Sequence, residues 1–170
     1  MALPDGAEAA LVDTPERVIA FLTAHSGLPG PRSNLELLAL AGELLAPELA
    51  ARLRTATDGY LRCCGVIHLG RTWLRAGDAG RADAGSELVR FSADESWRVR
   101  ESVAMALQRI GDDQPDAALA MALDWSKGPD VLLARAGIAG ICEPRLLGTP
   151  VMAAGALAAC GNATGLLAME

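Results

Sequence analysis

Along most of this 170-residue chain apolar residues recur three, four and eight positions apart. That spacing gathers them on one side of an α-helix, and no stretch alternates as a half-buried strand would. Local signals divide the pattern into elements. Thr14-Pro15-Glu16 is a cap followed by proline at the first helical position, and predicts a helix to about His25 with Val18, Ile19 and Leu22 on one side. Gly27 to Arg32 reads as a turn. Ser33 and Glu36 have capping-box spacing and predict a helix through Leu45. Pro47 opens a short helix to about Leu53, and Asp58 caps a long one from Tyr60 to about Leu74. The Gly- and Asp-rich stretch 77–85 reads as a loop. Helices are expected over 86–93, 95–110, 115–126, 131–142 and 150–168, with Asp112-Asp113 as a turn and cap. Pro115, Pro129 and Pro150 stand at starts, while Gly111, Gly128 and Gly148 stand just past ends. Residues 1–13 are expected to be a flexible segment before a single domain over 14–170.

Three of these helices resemble one another. Leu61 leads to Leu69, Val99 to Leu107 and Leu133 to Ile141, with Gly65, Val103 and Gly137 at the midpoints. The three sites lie 38 and then 34 residues apart, each after an acidic or hydroxyl cap: Asp58, Asp94 or Ser96, and Asp130. Spacing of four and eight puts each apolar trio on one stripe, which must be buried against the preceding helix. Gly65, Gly137 and Gly140 each cost about 1 kcal/mol relative to alanine inside a helix. Their natural use there is to let two helices approach closely.

The segments Asp58-Gly-Tyr-Leu-Arg-Cys-Cys-Gly-Val-Ile-His-Leu-Gly70, Trp97-Arg-Val-Arg-Glu-Ser-Val-Ala-Met-Ala-Leu107 and Asp130-Val-Leu-Leu-Ala-Arg-Ala-Gly-Ile-Ala-Gly-Ile141 resemble the HEAT-repeat family over about residues 14–145. The third has Ala134 where the others have arginine. The resemblance implies an all-α fold, a right-handed α-α superhelix (HEAT-like, armadillo-type solenoid) of about four to five helix pairs. It implies a scaffold that binds a macromolecule, a protein by first choice, on its concave face. Arg62, Trp97, Arg98, Arg100, Glu101 and Arg135 are the expected partner-binding residues. The uncharged stretch from Pro150 to Met169 offers no polar outer face, so the array is expected to lack a C-terminal cap and to be covered by further chain or a second copy.

Trp97 and Glu101 share a helical face, and Arg135 falls in the corresponding helix one repeat on. This trio, with Ser96-Trp97 and Leu133-Ala134-Arg135-Ala136, is similar to the motif regions of the HEAT-like alkylpurine DNA glycosylases. The resemblance implies an alternative function in repair of alkylated DNA, or a DNA-binding relative without activity. A carboxylate would stabilise an oxocarbenium-like sugar, an indole would stack on it and a guanidinium would hold a phosphate. Glu101 stands where that family has Asp, and Lys127 is the one lysine.

Composition narrows the picture further. The chain is 51% hydrophobic but 4% aromatic, so its interior is built mainly from Ala, Leu and Val. The net charge of −6 opposes generic nucleic-acid binding. The middle third nevertheless holds nine arginines against six acids, and any anion-binding surface is expected there. Cys63, Cys64, Cys142 and Cys160 have no zinc-like spacing and are expected as free thiols in a cytoplasmic protein. Cys64 and His68 supply two possible ligands where zinc needs three or four, so neither a metal nor a cofactor is expected. His68 is expected near the core with one ring nitrogen satisfied. Neither the start of the chain nor its uncharged end predicts a signal peptide or a membrane span.

Overall fold

The computed structural model describes residues 2–167. Ten α-helices cover it: α1 (Ala7–Leu11), α2 (Pro15–His25), α3 (Leu35–Leu44), α4 (Pro47–Leu53), α5 (Gly59–Arg75), α6 (Asp78–Ser92), α7 (Trp97–Asp113), α8 (Pro115–Trp125), α9 (Val131–Ile141) and α10 (Pro150–Leu167), with a 3-10 turn at Pro144–Leu146. No strand occurs among the described residues, so the fold is all-α. No helix among them is long and apolar enough to cross a membrane.

The helices fall into two rows. α3, α5, α7 and α9 lie side by side in chain order, each touching the next. Behind them, α4 packs on α5, α6 on α5 and α7, α8 on α7 and α9, and α10 on α8 and α9. Burial of the repeated stripes explains this arrangement. Leu61, Gly65 and Leu69 of α5 are buried, as are Val99, Val103 and Leu107 of α7 and Gly137 and Ile141 of α9, while Leu133 is half-buried against the same core. Burying a leucine or valine side chain stabilises the fold by about 1.5–3 kcal/mol. Two glycines set how closely the rows approach. A Cβ on Gly65 would lie 2.6 Å from Arg54 N and 2.7 Å from Ala50 O, and one on Gly70 would lie 2.6 Å from Ala106 O. Gly65 thus fixes the α4–α5 spacing and Gly70 the α5–α7 spacing.

Several elements differ from the sequence expectation for physical reasons. The 77–85 stretch is the first half of α6. Its buried stripe is Ala84, Leu88 and Phe91, so its N-terminal half presents alanine where a larger apolar residue would have marked a helix. The Arg81 guanidinium lies 4.6 Å from the Trp73 ring centroid and adds a contact to the preceding helix. The third helix is capped by Asn34, whose buried side chain accepts from Leu37 N at 3.2 Å, and Glu36 instead accepts from Leu3 N at 3.0 Å. Asp112 and Asp113 belong to the last turn of α7, and Gln114 precedes α8. Within the first thirteen residues, α1 buries Ala7 and Leu11 and packs on α2 and α3. Residue 168, where the last helix was expected to end, lies outside the described residues.

Candidate functional site

α5 and α9 begin at turns capped by an aspartate side chain, and α7 at a turn that Asp94 holds. The Asp58 carboxylate accepts from Tyr60 N and Leu61 N at 2.8 and 2.9 Å. Asp130 does the same for Leu132 N and Leu133 N at 2.9 and 3.1 Å, and Asp94 accepts from Ser96 N at 2.8 Å. Four residues after Asp58 and Ser96, the residues that immediately precede α5 and α7, stand Arg62 and Arg100. Arg62 donates to Ala56 O at 3.1 Å and Arg100 to Asp94 O at 2.7 Å, in both cases a carbonyl six residues back. Arg62 also reaches Asp94 at 3.2 Å and so ties the start of α5 to the loop before α7, with 14% of its side chain exposed. Ala134 at the third position leaves α9 without such a clamp.

These clamps separate the expected partner-binding residues into two groups. Arg62 and Arg100 hold the loops before α5 and α7 and offer little to a partner. Trp97, Arg98 and Glu101 line an open trough of about 670 Å³ across α3, α5 and α7. Trp97, the first residue of α7, is 56% exposed, with the Arg98 guanidinium 4.7 Å from its ring centroid. Leu35, at the start of α3, stands on the opposite wall and is 55% exposed. Two hydrophobic side chains on facing walls give the trough a place for an apolar side chain from outside. Arg135 is exposed and forms an ion pair with Glu101, so the expected trio does meet. The guanidinium neutralises the carboxylate.

Residues absent from the sequence-based site make the trough's floor and end. Tyr60 is fully buried beneath it and donates its hydroxyl to Asn34 O at 2.8 Å, which pins the 26–34 loop to α5. Beyond Met105 and Gln108 the trough continues into a smaller cavity of about 240 Å³ beside Gly42 and Ile67. There Arg109 of α7 pairs with Glu43 of α3 across the top of α5, and with Asp113 at 3.0 Å. Those carboxylates hold the Arg109 guanidinium above its ordinary pKa, with Asp113 the larger influence. This bridge closes one end of the trough. An aromatic OH facing a capped loop was readable at position 60, but its partner, a carbonyl 26 residues away, leaves no trace in sequence.

The trough holds no activated nucleophile. Burial pushes the Cys63 thiol above its ordinary range, and Ser102 only partly offsets this. Cys64 is displaced upward further by the same cause. Among the described residues no group of three or more His, Cys, Asp or Glu could hold a metal ion. The trough's charged lining is Glu36, Glu101 and Glu143 with Arg32 and Arg98, and Arg135 and Arg145 pair with Glu101 and Glu143 from outside it. Comparison with protein-family models, curated proteins and solved structures finds no match to this chain. The trough's own residues suit it to hold an apolar side chain between charged groups.

Proposed function

We propose that this protein is a HEAT-like α-α superhelical scaffold whose front row of helices binds a protein partner. The observation that carries this reading is the pair of exposed apolar residues, Trp97 and Leu35, facing each other over a trough of about 670 Å³. Tryptophan at the centre of a recess is the commonest kind of binding hot spot, because it removes a large apolar area from water at little entropic cost. The mixed charges beside it would select orientation and exclude wrong partners. The 38- and 34-residue spacing of the capped front-row helices supports the repeat architecture.

The meeting of Trp97, Glu101 and Arg135 keeps a second reading open to test, that of a DNA-repair glycosylase or a DNA-binding relative. Against it stands the pairing of Glu101 with Arg135, which commits both the carboxylate and the guanidinium that this chemistry would need free. A photo-crosslinking amino acid placed at position 35 or, as a control, at exposed position 79 on α6 separates the readings. A partner protein is expected to crosslink from position 35 alone, and Trp97→Ala is expected to abolish the product. Equal crosslinking from both positions would overturn the trough assignment. Release of alkylated purine from methylated DNA, lost in Arg135→Ala, would overturn the scaffold reading in favour of the enzyme.

A further inference from the structure

A second cavity, of about 370 Å³, shares no lining residue with the trough. It lies where the α3–α4 turn (Leu45, Ala46, Pro47) meets the last two turns of α5. His68, Arg71, Thr72 and Arg75 line it from α5. His68 is 3% exposed, with Nδ1 3.1 Å from Thr72 Oγ1 and Nε2 buried without a hydrogen-bond partner. Arg71 has a buried Nε that is likewise unpartnered. Neither Arg71 nor Arg75 joins an ion pair among the described residues. A buried polar nitrogen without a partner costs about 1–3 kcal/mol, so two of them around one cavity call for an explanation.

The nearby acids do not supply one. The groups that act on His68 are Arg71 of its own helix, Arg54 at the end of α4, the backbone of Leu45 in the α3–α4 turn and Glu43 of α3. Glu43 is held by Arg109, and Arg54 is paired with Glu87 at 2.8 Å. The local balance is therefore positive. Compensation of the α5 C-terminal dipole accounts for Arg75 in the last turn. It does not account for Arg71 a turn earlier, nor for the bare Nε2 beside it.

We infer that His68, Arg71, Thr72 and Arg75 form a site for a phosphoryl-sized oxyanion. Two guanidiniums one turn apart supply forked donors to its oxygens. The Thr72 hydroxyl can turn from His68 O, 3.1 Å away, to Nδ1. Turned toward the cavity instead, the same hydroxyl gives the anion a third donor. Burial and the neighbouring arginines hold the empty site's His68 down at about 4, so the ring is neutral at pH 7. A bound dianion would raise it. The ligand's source is either free phosphate or a phosphorylated segment of a protein, and both present the same group.

The test is titration of the full chain with inorganic phosphate at constant ionic strength. It is read by thermal unfolding and by the His68 ring signals in 1H–15N NMR. Saturable movement of those signals is expected, with an upward shift in the His68 titration midpoint. The melting temperature should rise by about 3–6 °C at ten times Kd. Arg71→Gln/Arg75→Gln should remove both effects, and Arg75→Gln alone, at an exposed position, should weaken binding if the double variant does not fold. A phosphoserine peptide that competes with phosphate at lower concentration would assign the source to a protein; competition at equal concentration would assign it to the free anion. Equal responses of wild type and Arg75→Gln, or His68 signals that ignore phosphate, would overturn the site. The trough variant Trp97→Ala should leave phosphate binding intact, so failure here is distinguishable from failure of the scaffold reading.

Discussion

Replacing Gly65 by alanine sets two opposed effects against each other, and the structure says which wins. In an unobstructed helix the change stabilises by about 1 kcal/mol, because alanine loses less backbone freedom on folding. At Gly65 the new methyl would sit 2.6 Å from Arg54 N and 2.7 Å from Ala50 O. Both are backbone atoms, and they are joined by a hydrogen bond of 3.2 Å at the end of α4. No flexible side chain can yield to make room, so α4 must move by several tenths of an ångström or that bond must open. Overpacking of this kind costs about 1–3 kcal/mol, with about 1 kcal/mol more if the bond is lost. The net expectation for Gly65→Ala is destabilisation by about 2 kcal/mol. Gly85 of α6 supplies the control, since nothing lies within 4 Å of its added methyl. Gly85→Ala should stabilise by about 0.5–1 kcal/mol. Gly137, whose methyl would meet Ala122 Cα and O at 3.3 Å, should fall between, near zero. Urea unfolding of the three variants measures the series, and melting temperatures should shift by about 2–4 °C for each kcal/mol. If Gly65→Ala matched Gly85→Ala, the claim that this glycine sets the helix spacing would be wrong.

Arg62→Ala should lower stability by about 2 kcal/mol in urea unfolding, because it frees the Ala56 carbonyl and leaves Asp94 without its guanidinium. A variant as stable as wild type would return Arg62 to the binding residues. Tyr60→Phe, which removes one of two donors to the buried Asn34 carbonyl and leaves Leu38 N at 3.0 Å, should cost about 1 kcal/mol and speed amide exchange across residues 26–34; unchanged exchange would refute the pinning role. His68 makes stability depend on pH. Its folded value of about 4 lies below the ordinary 6.5, so the unfolded chain takes up a proton first as pH falls. Stability present above pH 6.5 should be lost progressively toward pH 4, by up to about 3 kcal/mol in phosphate-free buffer. His68→Gln should flatten that part of the urea-midpoint profile, and parallel profiles would count against the burial argument. Cys142 and Cys160 stand with Sγ atoms 3.8 Å apart between the end of α9 and α10. Treatment with the azo oxidant diamide, which takes up the two thiol hydrogens, should join them in a disulfide that raises stability by about 3 kcal/mol. Intact mass after alkylation reads the product, and two alkylated thiols at these positions would refute it.

The front row was legible in sequence because its stripes are made of large apolar residues at helical spacing, each behind a cap with a strong chemical signature. α6 was not, because Ala84 carries its buried face where Leu or Val would have announced it. Its Gly80 and Gly85 also read as loop. The cap of α3 shifted by one residue because Asn34 satisfies two demands that Ser33 cannot. Its oxygen accepts from Leu37 N, and its amide donates to His25 O at 3.4 Å. Only the fold brings His25 there.

The arginines show a deeper limit on what a sequence pattern can say about a site. Arg62, Arg98 and Arg100 sit within one turn of a helix start and look alike as exposed cations. Register decides their fates. Four residues after the cap, Arg62 and Arg100 point back over the helix start, where an unpaired carbonyl six residues upstream is within reach. Arg98, two residues earlier than Arg100, faces the trough and lies over Trp97. The same reasoning assigns Arg135: it follows Ala134, the position from which a clamp would reach, so it stands exposed and meets Glu101 from the neighbouring helix. A cation near such a helix start is available to a partner only where its register takes it off the loop carbonyl, and among these four arginines that leaves Arg98 over Trp97 and Arg135 against Glu101.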